Sequence, residues 1–171
     1  MRFLISAAGT GGHVFPALEF SAECIKNNHD VLWMGTKTGL ESRKVPEKNI
    51  QFMTVPMRGF RGKGLLNKFI SIFGLVASIG KTIIFLFQNK INFVVCFGGY
   101  ISLPVGIAAI LCRKQLILHE QNAVMGTSNK LLAAFAKIIF LGTPLATVSQ
   151  KNTQLVGNPI KRINKHQDMV P

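Results

Sequence analysis

The sequence predicts an α/β fold built on a mostly parallel sheet of about six or seven strands. Two patterns carry that prediction. Short, continuously apolar runs alternate with helical segments, as in strands buried on both faces beneath helices. Glycine and polar clusters also follow those runs at their carboxyl ends, where such sheets bind ligands. In chain order, Arg2 to Ala7 reads as a buried strand and residues 14–27 as a helix that tolerates Pro16 in its first turn. Val31 to Met34 and Gln51 to Val55 read as strands, with a short helix around Leu40 to Lys44 between them. A strand at Asn92 to Phe97, a short helix at Pro104 to Leu111 and a strand at Gln115 to His119 come next. A helix near Ser128 to Phe135 and strands at Lys137 to Leu141 and Gln154 to Val156 complete the pattern.

A length of 171 residues suits one such domain with a real core and is too short for two of ordinary size. Cys24, Cys96 and Cys112 are widely spaced in apolar surroundings with no CxxC pair, which fits reduced core thiols and argues against disulfides or a metal site. The N-terminal apolar run is only one strand long and leads into glycines, unlike a secretory signal, so a cytoplasmic protein is expected. The net charge of +13 favours anionic partners: nucleic acid, phosphorylated substrates or an acidic membrane face. No basic stripe interleaved with exposed aromatics speaks for specific nucleic-acid binding, and the 13 Phe lie mainly in apolar runs.

The most informative motif is Gly9-Thr10-Gly11-Gly12-His13, directly after the first strand. It matches neither GxGxxG nor a Walker A loop, and Gly35-Thr36-Lys37 after the second strand supplies no acidic ribose partner, so nicotinamide binding and nucleotide hydrolysis both lose ground. What remains is a turn of backbone N–H groups able to hold a phosphorylated ligand without a metal, with His13 beside it as donor or base. Gly98-Gly99-Tyr100, His119-Glu120-Gln121-Asn122 and Gly142-Thr143-Pro144 follow later strands at the same sheet edge. Tyr100 either packs on a sugar, donates to a phosphate or caps the core, and Asn122 suits sugar hydroxyls. The quartet either contacts ligand or knits the crevice together, with Glu120 orienting a neighbour or doing acid/base work.

Residues 56–89 combine the basic, flexible stretch Arg58 to Gly64 with a long apolar helix from Leu65 to Gln88. Helical spacing places Leu65, Phe69, Ile72, Phe73, Val76, Ile79, Ile83 and Phe87 broadly on one side. The segment reads as a core-covering helix with a membrane-facing part, flanked by Arg58, Arg61, Lys63, Lys68 and Lys81. Complete absorption into the core is an alternative. So is a transmembrane anchor, although the longest uncharged run is 12 residues against the roughly 20 that a span needs.

The blocks AAGTGGHVFPALEFSAE at 7–23, RGFRGKG at 58–64, GGYISLPVGIAA at 98–109, LHEQNAVMGTSNK at 118–130 and VGNPIK at 156–161 together resemble the N-terminal domain of the MurG family, over about residues 1–162. The resemblance implies one Rossmann-like half of a two-domain glycosyltransferase that moves N-acetylglucosamine from UDP-N-acetylglucosamine to a lipid-linked muramoyl-pentapeptide. That is a step of peptidoglycan synthesis serving cell shape and division at the cytoplasmic face of the bacterial membrane. It implies that Gly11, Gly12, His13, Gly98, Gly99 and Tyr100 hold the acceptor diphosphate, with His13 the candidate base. Asn122 then reaches the transferred sugar, Thr10 faces that sugar or the cleft, and His119, Glu120, Gln121 and Asn129 support the cleft. The membrane patch falls on the helix after RGKG, and neither a cofactor nor a metal is implied.

On this resemblance residues 1–160 form the acceptor-binding domain and 161–171 a polar tail or the start of a linker, because Gly157-Asn158-Pro159 lies at the join to a second domain and the chain stops twelve residues later. No donor-binding domain is expected within the 171 residues, so UDP-N-acetylglucosamine would be a partner only when a donor domain is supplied. A truncated gene, an excised domain and half of a split enzyme with a separate donor-domain chain all fit. A noncatalytic membrane-surface or scaffold module is the alternative function.

Overall fold

The computed structural model describes residues 1–57, 65–146 and 152–160, with the side chains of 65–70 excepted. Its strands are β1 (Arg2–Ser6), β2 (Asp30–Gly35), β3 (Gln51–Thr54), β4 (Phe93–Cys96), β5 (Gln115–Glu120), β6 (Ile138–Leu141) and β7 (Thr153–Leu155). They form a seven-stranded sheet in the order β3-β2-β1-β4-β5-β6-β7, and every neighbouring pair is parallel. The helices are α1 (Gly11–Lys26), α2 (Glu41–Lys44), α3 (Leu65–Gln88), α4 (Ser102–Leu111) and α5 (Thr127–Leu132), with single 3-10 turns at Pro46–Lys48 and Ala133–Phe135.

Alternate strand residues supply two cores, which is why the strands read as unbroken apolar runs. Leu4, Leu32, Val94 and Leu118 face one side with α3 residues Phe85 and Leu86 and α4 residues Val105 and Ala108. Ile5, Trp33, Val95 and Phe97 face the other with α1 residues Val14, Ala17 and Leu18. The order of strands reverses its direction of growth between β1 and β4, where Ser6 is in register with Cys96. That switch point opens a crevice beyond the carboxyl ends of the strands.

Helix α1 begins at Gly11, three residues earlier than the sequence suggests. Thr10 is extended (φ −91°, ψ 158°), so the chain turns there and Gly11, Gly12 and His13 form the first helical turn. Glycine is a poor helix former, but a first turn depends little on propensity because its N–H groups have no intrahelical acceptor. Cys24 and Cys96 are buried and Cys112 partly so, and all three are free thiols. Burial pushes the Cys96 thiol up to about 12, which keeps it an inert packing group.

Helix α3 is arranged with its smaller residues inward. Gly74, Ser78 and Thr82 are buried with Phe85 and Leu86, whereas Ile72, Phe73, Val76, Ile84 and Phe87 are exposed, Phe73 by 76%. The Ser78 and Thr82 hydroxyls donate to the helix's own carbonyls, at 2.6 Å to Gly74 O and 2.7 Å to Ser78 O, so their burial leaves no orphan donor. A Cβ at Gly74 would stand 2.9 Å from the Pro56 carbonyl oxygen, and that close approach requires glycine. Ile79 and Ile83 pack partly against the core, unlike the outward residues with which helical spacing groups them. Lys81 is exposed at the edge of the strip and donates to Thr54 O at 2.8 Å. Arg58, Arg61 and Lys63 lie outside the described residues, as do the side chains of Lys68 and Phe69.

Candidate functional site

Two glycine turns face each other across the switch point. After β1, Gly9 takes φ +97°, and after β4, Gly98 and Gly99 take φ +95° and +78°, conformations that favour glycine. A Cβ at Gly99 would stand 2.5 Å from the Ala8 carbonyl oxygen, so the two backbones meet directly. The buried Ser102 hydroxyl pins the second turn, accepting from Gly98 N at 3.1 Å and donating to Gly98 O at 2.7 Å. At the head of α1 no acidic residue occupies the first turn, and the N–H groups of Gly11 and Gly12 head the helix without intrahelical acceptors.

His13 is half-buried on this first turn, its Nδ1 3.1 Å from the Thr10 hydroxyl. Its Nε2 edge lies against Gly98, where an added Cβ would come within 2.9 Å of Nε2. Burial holds the His13 pKa below 6.5, and the charge of Glu120 opposes that shift. The imidazole is therefore mainly neutral at neutral pH. In the tautomer that directs the Nδ1 proton at Thr10, Nε2 keeps a lone pair for a proton from a ligand. A cavity of about 510 Å³ lies beside it, lined by His13, Gly98, Gly99, Tyr100, Gly126 and Asn129.

The polar quartet divides. Glu120 is buried, and its carboxylate accepts from Asn122 N at 3.1 Å, Asn122 Nδ2 at 3.1 Å, Gly126 N at 3.0 Å and Asn129 Nδ2 at 2.9 Å. It therefore knits the 121–129 loop together. His119 is buried and stacks on Phe97 at 5.1 Å, with Nε2 3.3 Å from the Gly157 carbonyl oxygen. Its ring thus joins the sheet to the segment leading out of β7. Gln121 and the exposed Asn122 line a second cavity of about 690 Å³ with Gly12, Phe15 and Asn158. The first turn of α1 consequently contributes Gly12 to one cavity and His13 to the other. Asn129, from α5, bridges His119 O at 3.2 Å and Glu120, and its buried Oδ1 has no partner among the described residues. The Tyr100 hydroxyl lies 3.5 Å from the Thr36 hydroxyl.

Sequence reasoning passed over Ser102 and Glu41 and read Thr36 only as part of a turn without an acidic ribose partner. Only glycines two and six residues before Glu41 mark it in the sequence, and their meaning depends on the fold.

The two crevice histidines set a pH dependence of stability. Burial lowers the pKa of both His13 and His119 in the folded state. The unfolded chain therefore binds more protons below about pH 6.5, and stability rises with pH. We expect the denaturant midpoint to fall between about pH 7.5 and about pH 5.5. Replacing His119 with phenylalanine should reduce the slope, and a midpoint independent of pH would refute this account.

The doubly covered parallel sheet with its switch-point crevice is the architecture of one Rossmann-like half of a two-domain glycosyltransferase. The chain belongs to glycosyltransferase family 28, whose N-terminal domain matches residues 3–141. It is 38% identical over 160 residues to the Haemophilus influenzae UDP-N-acetylglucosamine–N-acetylmuramyl-(pentapeptide) pyrophosphoryl-undecaprenol N-acetylglucosamine transferase, covering 94% of this chain and 45% of that protein. The Acidithiobacillus ferrooxidans protein of the same name is 42% identical over 158 residues, covering 92% and 43%. The crystal structure of Acinetobacter baumannii MurG superposes with a TM-score of 0.82 at 33% identity, covering 94% of this chain and 46% of that one. The chain thus spans somewhat under half the length of these relatives.

Proposed function

We propose that residues 1–160 form the acceptor-binding half of an inverting N-acetylglucosamine transferase. The acceptor is an undecaprenyl-pyrophosphoryl N-acetylmuramoyl-pentapeptide and the donor UDP-N-acetylglucosamine, which a donor domain must bring. The observation that carries this reading is the convergence of His13, Gly98, Gly99 and Asn129 on one cavity at the switch point. The acceptor diphosphate lies against the first-turn N–H groups of α1 and the second glycine turn, where partial positive charge favours it. The C4 hydroxyl of the muramoyl sugar then attacks the anomeric carbon of N-acetylglucosamine, its proton passes to His13 Nε2, and UDP departs with inversion. Asn122 and Thr10 meet the transferred sugar.

The outward apolar strip of α3 keeps this half at the cytoplasmic face of the bacterial cell membrane, where the acceptor's polyprenyl tail resides. The strongly basic chain favours anionic lipid, and the contact is peripheral. Replacing Phe73 and Val76 with aspartate should lower co-sedimentation with anionic vesicles more than about tenfold while the circular dichroism spectrum stays unchanged. Retained vesicle binding would refute the patch. The catalytic reading is tested by fusing residues 1–160 to the C-terminal half of the Haemophilus influenzae relative and measuring UDP release. Release that depends on the lipid-linked acceptor is expected, and none from a folded chimera that binds donor would overturn the reading.

A further inference from the structure

Glu41 is an acidic side chain with no role in the chemistry described so far. It lies in α2, is fully buried, and among the described residues no cation comes within ion-pair distance of it. Its Oε1 accepts from Thr36 N at 3.0 Å and Thr36 Oγ1 at 2.7 Å, and its Oε2 accepts from Gly9 N at 3.3 Å. Two glycines shape the socket. A Cβ at Gly35 would stand 2.7 Å from Glu41 Cγ, and one at Gly39 would collide with a carboxylate oxygen. A buried carboxylate without a cation is costly unless several donors surround it, and here those donors come from the turns after β1 and β2. These are the turns that hold phosphate and ribose in dinucleotide-binding sheets.

We propose that Glu41 is an internal anion that occupies the β1–β2 side of the glycine turn and confines a ligand diphosphate to the β1–β4 side. The confinement rests on the acceptor-diphosphate reading above; the occupancy of the socket does not. With Gly9 N and Thr36 N engaged, the N–H groups of Gly11 and Gly12, which have no acceptor among the described residues, are what a diphosphate meets. The carboxylate also repels a second anion from the β2 side. Glu41 is thus a specificity-determining positioning residue that touches no substrate.

The test follows backbone amides of the full 171-residue chain by NMR, with sodium formate and inorganic pyrophosphate as separate probes. In the wild type, pyrophosphate should shift Gly11, Gly12, Gly98 and Gly99 but leave Gly9 and Thr36 unmoved, and formate should do nothing. In Glu41→Ala, formate should refill the socket and shift Gly9 and Thr36. The pyrophosphate footprint should spread to both, with affinity rising about tenfold on loss of the repelling charge. Glu41→Gln keeps the side-chain shape but turns an NH2 group toward donor N–H groups, so it should add Gly9 to the pyrophosphate footprint even if the alanine variant does not fold. A folded Glu41→Ala chain whose Gly9 and Thr36 ignore formate overturns the proposal, as does a Glu41→Gln footprint identical to the wild type. Pyrophosphate that shifts nothing in any variant overturns the confinement and the diphosphate reading, while a formate response in Glu41→Ala still upholds the occupancy.

Discussion

His13→Ala in the chimeric transferase is expected to lower kcat about a thousandfold, within the range that a positioned general base contributes, while the KM for donor stays within about threefold. The expectation rests on two features of the ring. Burial holds the imidazole neutral near pH 7, and Thr10 at 3.1 Å fixes one nitrogen so that the other faces the cavity. His13→Gln offers a sharper comparison, because it can hydrogen-bond to ligand but cannot take up a proton in this range. It should be as slow as alanine yet bind acceptor more nearly like the wild type. The wild-type rate should rise with pH through an apparent pKa below 6.5 and then level off, as expected for a base whose neutral form is favoured. A glutamine variant with more than about a tenth of wild-type kcat would remove His13 from the role of base.

The parallel sheet was legible because its strands are covered on both faces, which leaves unbroken apolar runs such as Phe3-Leu4-Ile5 and Phe93-Val94-Val95. Their carboxyl ends placed the glycine turns correctly along one edge. Three features were not legible, each for a physical reason. The start of α1 was hidden by its glycines, which depress helix propensity where a first turn scarcely needs it. The inward face of α3 was hidden because the helix is apolar nearly all round, although Ile72, Phe73, Val76 and Phe87 lie outward as helical spacing groups them. The choice of buried face falls to close backbone approach at Gly74 and self-satisfied hydroxyls at Ser78 and Thr82, neither of which periodicity reports. The division of residues 119–122 into a buried ring, a loop-organising carboxylate and two residues on one cavity wall depends on the loop that Glu120 organises, and so on partners up to nine residues away.

Glu120→Ala should be the most destabilising substitution in the crevice. The carboxylate is buried and accepts four hydrogen bonds, two from backbone N–H groups and two from the Asn122 and Asn129 side chains. Hydrogen bonds to a charged acceptor contribute roughly 1.5–3 kcal/mol each in favourable settings, but loop relaxation and water recover part of the loss, leaving about 3–5 kcal/mol. A urea melt read by tryptophan fluorescence measures it, since Trp33, the sole tryptophan, is fully buried on the face of β2 that packs with α1. Glu120→Gln should lose less, because one oxygen remains an acceptor while the new NH2 group faces donors. Folded chimeras carrying Glu120→Gln then separate positioning from proton transfer. A positioning residue predicts a weakened acceptor KM with a pH profile still governed by His13, because disorder of the 121–129 loop displaces Gly126 and Asn129 from the cavity wall. Loss of the His13-dependent pH limb, with acceptor KM intact, would instead make Glu120 the proton acceptor and reduce His13 to a binding group.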